Sequence, residues 1–151
     1  MIRRAAVLPA LALLAACASG TPEPAALDTR HEACAFCRMA VSSAAGASQL
    51  ASPGELPRFF DDLGCLSAFL KAGRAPAGAI AYAADHRTKA WVRADRAVYT
   101  RVSELETPMG SHVIAHADAT SRDQDQEARG GTPVPAAVLF GPTGPPVGEK
   151  P

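Results

Sequence analysis

The 151 residues carry 15 basic and 15 acidic side chains, a formal net charge of zero with histidine neutral. With no basic stripe and a sequence pI of about 6.9, the electrostatic footprint of a nucleic-acid-binding protein is excluded. The length suits one domain with its own core.

The N-terminus reads as an export signal. Arg3 and Arg4 form a positive n-region, and residues 5–16 are apolar apart from Pro9. That run is shorter than the ~20 residues a membrane-spanning helix needs and fits a signal peptide. It ends Leu14-Ala15-Ala16-Cys17, which resembles the lipobox of bacterial lipoproteins. The resemblance implies cleavage before Cys17, acylation of that thiol, and a lipid anchor in a bacterial membrane facing the periplasm. Ala18 and Ser19 follow where an aspartate would mark inner-membrane retention, so the outer membrane is preferred. Residues 1–16 are thus read as signal peptide and 17–29 as lipidated Cys17 plus a flexible tether. The Pro/Ala/Gly-rich stretch 19–27 makes an extended spacer. Loss of Arg3 and Arg4 leaves 13 basic residues against 15 acidic, a balance of −2.

Next comes Cys34-Ala35-Phe36-Cys37-Arg38-Met39, two thiols and a thioether within six residues. Soft sulfur donors of this kind select Cu(I) over hard ions. With Cys17 acylated, three of the four cysteines remain, and an odd number cannot pair completely within one chain. The periplasm is oxidising, so a free thiol there needs a reason; metal ligation is one. If residues 37–39 are extended, Cys37 and Met39 share a face about 7 Å apart along the backbone and can converge on one ion. A thioether is a poor ligand for Zn(II) and a good one for Cu(I). An ion held by one or two thiolates and a thioether keeps an open position at which a partner's ligand can take it.

Leu56-Pro57-Arg58-Phe59-Phe60 reads as a short strand that its proline confines to an edge or a strand start. Asp61 and Asp62 stand where an N-cap is wanted. Leu63, Leu66, Phe69 and Leu70 then mark one helical face, which Gly73 closes, and Cys65 borders that face as a small buried hydrophobe. Residues 79–83 and 90–92 flank the polar turn 85–88 as a hairpin, with His86 read as a turn residue. Residues 98–102 form another strand, and 107–111 a loop by its Pro and Gly. Residues 112–116 alternate, placing His112, Ile114 and His116 on one face. Residues 118–129 are polar and helix-compatible, ending at Gly130-Gly131, and 135–140 read as a last strand. The tail 141–151 holds four prolines and three glycines and is expected to be disordered. The sum is a small single α+β domain over 30–140 with room for two ββαβ-like halves, although no internal sequence repeat joins them.

Other chemistries compete for the sulfur cluster. Cys34, Cys37, Cys65 and a histidine would make a Cys3His structural zinc site, hence a zinc-stabilised binding module. Cys34 and Cys37 alone would make a thiol–disulfide redox pair, although that chemistry wants C-x-x-C between a strand and a helix start. A plain disulfide with Met39 in the core is the third.

In this order the motifs resemble the NosL family, lipoproteins that deliver copper for nitrous oxide reductase assembly. The resemblance covers most of the mature domain. It rests on Cys34-x-x-Cys37-x-Met39, the stretch Phe59-Phe60-Asp61-Asp62-Leu63-Gly64-Cys65-Leu66, the turn 85–88 leading into Trp91-Val92-Arg93-Ala94, Ala97-Val98-Tyr99, and Thr107-Pro108-Met109-Gly110-Ser111. It implies a ββαβ-type architecture and Cu(I) held by Cys37 and Met39, with Met109 as the remote ligand and Cys34 close by. Cys65, His31, His112 and His116 are secondary ligand candidates: His31 flanks the sulfur motif, and His112 and His116 face the same cleft if the Met109 loop folds back. The chain departs from the family at Arg38, where glycine is frequent. Arginine adopts positive φ less readily than glycine, and it sets a cation beside two thiols, which favours the thiolate. His112 stands where another small residue is expected. The expectation is a lipid-anchored periplasmic Cu(I) chaperone, not an enzyme, whose partner is nitrous oxide reductase or its maturation complex.

Overall fold

Short strands and three helices follow one another through the described residues: β1 (Ser48–Ala51), β2 (Arg58–Phe60), α1 (Leu63–Lys71), β3 (Ile80–Ala84), β4 (Trp91–Arg93), β5 (Val98–Arg101), β6 (Val113–His116), α2 (Ala119–Gln124), β7 (Thr132–Val134) and α3 (Ala136–Phe140). This is a computed structural model describing residues 20–148. The segment expected to be signal peptide and lipobox, with Cys17, lies outside the described residues. No helix among the described residues is long and apolar enough to cross a membrane.

The α+β architecture is built from two ββαβ units of one topology, β1β2α1β3 and β5β6α2β7. In each, the first strand is central and pairs antiparallel with the second and third, giving the orders β2-β1-β3 and β6-β5-β7. β4 adds to the first sheet beside β3, and α3 follows the second. Strands of three to five residues carry too little pattern for the repeat to surface in sequence. The sheets meet where the His86 N–H donates to the Ala115 carbonyl (2.8 Å) and Asp85 bridges Ala115.

α1 starts as its sequence dictates. Asp62 is extended and its carboxylate accepts the Gly64 N–H, filling one of the unpaired amides of the first turn. Leu63, Leu66 and Phe69 point into the core, where Phe69 meets Phe60 edge-on at 5.1 Å. Gly73 ends the helix at φ +67, a left-handed position glycine takes without a Cβ penalty.

Four sequence expectations are corrected. Residues 135–140 are not a strand: Pro135 opens α3, which buries Leu139 and Phe140, the latter edge-on to Tyr99 at 5.5 Å. Residues 19–27 are not a free spacer over their described part, because Ala25 exchanges two hydrogen bonds with the buried Gln49 amide (2.9 and 3.0 Å) and the Tyr82 hydroxyl donates to the Pro22 carbonyl. The tail is ordered through 148: Ala81 N–H donates to the Pro146 carbonyl and Gly148 N–H to that of Ala79, both at 2.9 Å, beside β3 where β4 has ended. The domain therefore extends beyond 30–140 at both ends. Finally, His112 sits at φ 55 and not in extended backbone, so the strand alternation begins only at Val113.

Candidate metal centre

Residues 33–41 double back as a tight loop. Ala33 and Ala40 form an antiparallel bridge, Cys34 N–H donates to the Met39 carbonyl (2.7 Å), and Arg38 N–H donates to the Cys34 carbonyl (3.0 Å). Arg38 closes the turn at φ 69. Residues 37–39 are therefore not extended, and Cys37 and Met39 do not share a face in the way a strand would give. The loop is pinned to the first sheet: Ala35 N–H donates to the Phe59 carbonyl (2.8 Å), and Ser42 N–H to the Asp61 carboxylate (2.8 Å). Pinning it beside residues 59–61 brings it to the start of α1, where Cys65 is the third helical residue.

The result is a cluster of three free thiols, Cys34, Cys37 and Cys65, whose sulfurs lie within 4.8 Å of one another. Cys34 and Cys65 are buried and Cys37 is partly open. Metal–thiolate bonds of about 2.3 Å allow two sulfurs on one ion to be at most ~4.6 Å apart, so the cluster has the donor set and spacing to hold a metal ion with little contraction. Cysteine alone does not fix which metal.

The thiols are electrostatically unequal. Burial pushes Cys34 up, but backbone N–H groups of Cys37, Asp61 and Phe36, together with the Cys37 thiol, more than offset it, and Cys34 titrates below its ordinary range. Cys65 moves far up through burial and then through the charge of Cys34 and Cys37. Its place in the first turn of α1 favours an anion, yet burial and its neighbours win. Negative charge is therefore favoured on Cys34 over Cys65, and an arriving cation displaces protons from the thiols.

Met109 is fastened to the same corner. Its N–H donates to the second carboxylate oxygen of Asp62 (3.1 Å), the residue that caps α1. The loop passes so close that a Cβ on Gly64 would stand 3.0 Å from Ser111 Cβ. Burial alone would raise the Asp62 carboxyl, but the Ser111 and Thr107 hydroxyls and the Gly64 and Met109 amides hold it below its ordinary value. Met39 and Met109 are 56% and 46% exposed, so both thioethers are reachable from solvent.

No histidine joins the thiol cluster among the described residues. His31 is exposed and pairs with Asp28 at 2.9 Å. His112 Nδ1 contacts the Leu105 carbonyl at 2.8 Å. His116 is fully buried and belongs to a different group, with His86 and Asp125. Sequence reasoning set His86 aside as a turn residue and passed over Asp125. The signal within reach was a histidine at the end of the otherwise apolar strand Val113–His116.

Comparison with protein-family models, with curated proteins and with solved structures gave no match.

Proposed function

We propose that this protein is a NosL-type Cu(I) chaperone, lipid-anchored through Cys17 on the periplasmic side of a bacterial membrane, and not an enzyme. Its copper is cargo, passed on for nitrous oxide reductase maturation. The observation that carries the reading is the three-thiol cluster at the foot of α1, with the backbone of the exposed Met109 tied to that helix cap.

The arrangement suits capture and release. Cys34 supplies a sulfur whose charged form is already favoured by backbone amides, so little reorganisation accompanies binding. Cys37 is the partly open thiol and Met39 follows two residues later. A thioether is a soft, neutral donor, and a partner's ligand can displace it with no charge to strip away. Transfer is then ligand substitution at the exposed side, while burial shields Cys34 and Cys65 from water and oxidant. The thiol–disulfide alternative is less well supported, because Cys34 and Cys37 lie in a hairpin-like turn and not at a helix start.

The test is a competition titration of the reduced mature chain with Cu(I) and Zn(II), beside Cys37→Ser, Met39→Ala and Met109→Ala. The expected result is strong preference for Cu(I), lost with Cys37 and weakened by either methionine change. Tight Zn(II) binding indifferent to both methionines would make the cluster structural. Failure to bind either ion would return Cys34 and Cys37 to redox chemistry.

A further inference from the structure

We propose that His86, His116 and Asp125 form a second metal site, separate from the thiols and fitted to a divalent ion of borderline softness such as Zn(II). His86 Nδ1 and His116 Nε2 lie 2.8 and 2.9 Å from the same Asp125 carboxylate oxygen, Oδ2. The three ligand atoms fall within 4.8 Å of one another. Bonds of about 2.0–2.2 Å to nitrogen and oxygen put neighbouring donors of a tetrahedral ion about 3.3 Å apart, so seating an ion needs them to part by roughly half an ångström.

The donors set the class of ion. Imidazole suits Zn(II), Cu(II) and Ni(II), and a carboxylate disfavours soft Cu(I). One domain would thus hold two sites of opposite preference, soft sulfur at the foot of α1 and nitrogen–oxygen at the seam between the sheets.

One further observation points to an ion. The other ring nitrogen of His86 lies 3.4 Å from Glu127 Oε2, so both of its nitrogens face carboxylate oxygens. A carboxylate behind a ligating histidine is the outer arrangement that orients such ligands. Well-packed apolar side chains join two sheets at least as stably as a buried polar trio.

A cavity of about 410 Å³ borders the site at His86, lined among others by Ser43, Gly46, Thr107 and Pro108. His86 belongs to the turn after β3, His116 ends β6 and Asp125 follows α2, so a bound ion would clamp one ββαβ unit to the other.

Co(II) titration of the reduced mature chain tests this, since cobalt on thiols reveals itself by a near-ultraviolet charge-transfer band. The expected result is one equivalent with a visible d–d spectrum and no thiolate band, displaced by Zn(II), and unchanged in Cys37→Ser. It should be lost in His86→Asn and Asp125→Asn. Because those changes alter buried groups, Glu127→Gln, at an exposed position, carries the decisive arm: an unchanged melt without metal, and affinity lower by about ten- to hundredfold. Absence of a thiolate-free cobalt species would overturn the proposal. So would cobalt binding that persists in both ligand variants, or a Zn(II)-independent effect of Glu127→Gln on the melt, which would make the trio a metal-free hydrogen-bond network. None of these outcomes bears on Cu(I) at the thiols.

Discussion

Asp62→Ala removes one side chain that performs two tasks. Asp62 is 1% exposed; one oxygen caps α1 at the Gly64 N–H (2.5 Å) and the other holds the Met109 N–H (3.1 Å). Loss of an N-cap costs about 0.5–2 kcal/mol. A hydrogen bond to a charged group contributes about 1.5–3 kcal/mol, of which water at the half-exposed Met109 restores a part. The sum is about 2–4 kcal/mol of stability. Urea unfolding should move the midpoint down with the slope unchanged. Cu(I) competition should fall in parallel, because the loop that presents Met109 loses its anchor. Asp62→Asn keeps a carbonyl oxygen for the Gly64 N–H and should lose less on both counts. A stability loss below about 1 kcal/mol would refute the double role. A full stability loss with Cu(I) affinity untouched would uncouple Met109 from the metal.

Asp85 accepts the Arg87 and Thr88 amides on one oxygen and the Ala117 amide and Ser121 hydroxyl on the other. Burial would raise its carboxyl, but these donors hold it well below the ordinary value of 3.8. A depressed folded-state pKa gives stability that is complete above the unfolded value and is lost as pH falls through the folded one. Thermal melts should therefore weaken as the pH drops below about 4, and Asp85→Asn should flatten that slope. Arg38 occupies left-handed backbone, which costs an L-residue about 1–2 kcal/mol, while glycine's extra freedom when unfolded costs about 0.5–1 kcal/mol. Arg38→Gly should then stabilise slightly and Arg38→Ala should not; equal melts for the two variants would show that the turn is not left-handed in solution.

The parts of the fold legible in sequence were those with local causes. The start of α1 followed from an aspartate cap and an apolar face, and the β3–β4 hairpin from two apolar runs around a polar turn. β1 was not legible because Ser48–Ala51 is half polar, and Gln49 is buried only through its bonds to Ala25, 24 residues away. α3 was misread because a short apolar run fits strand or helix by periodicity alone. At the thiol cluster, Cys34 and Cys37 were readable from their spacing, but Cys65 enters only because the loop is pinned to Phe59 and Asp61. His86 and Asp125 are separated by 39 residues, and no local rule links them. Arg38 is a partial case: its departure from glycine marked the turn, whereas the causes that hold Cys34 down begin, once burial is overcome, with backbone amides.

Whether an ion held by the thiols would be cargo or staple turns on what the fold has without it. Small zinc modules are unfolded when the metal is removed because the ion replaces a core they lack. Here Leu50, Phe60, Leu66, Phe69, Ile80, Val113 and Ile114 are all at most 2% exposed, and a domain approaching 150 residues buries enough surface to stand alone. The thiol loop is also fixed by backbone hydrogen bonds at its own turn, at Phe59 and at Asp61, none of which involves a sulfur. Removing the ion should therefore subtract only the binding linkage, about 4 kcal/mol when free metal exceeds the dissociation constant a thousandfold. Reduced, chelated protein should still unfold in one cooperative transition at a lower temperature. Loss of that transition on chelation would make the metal part of the fold and refute the proposed role as a carrier that hands it over.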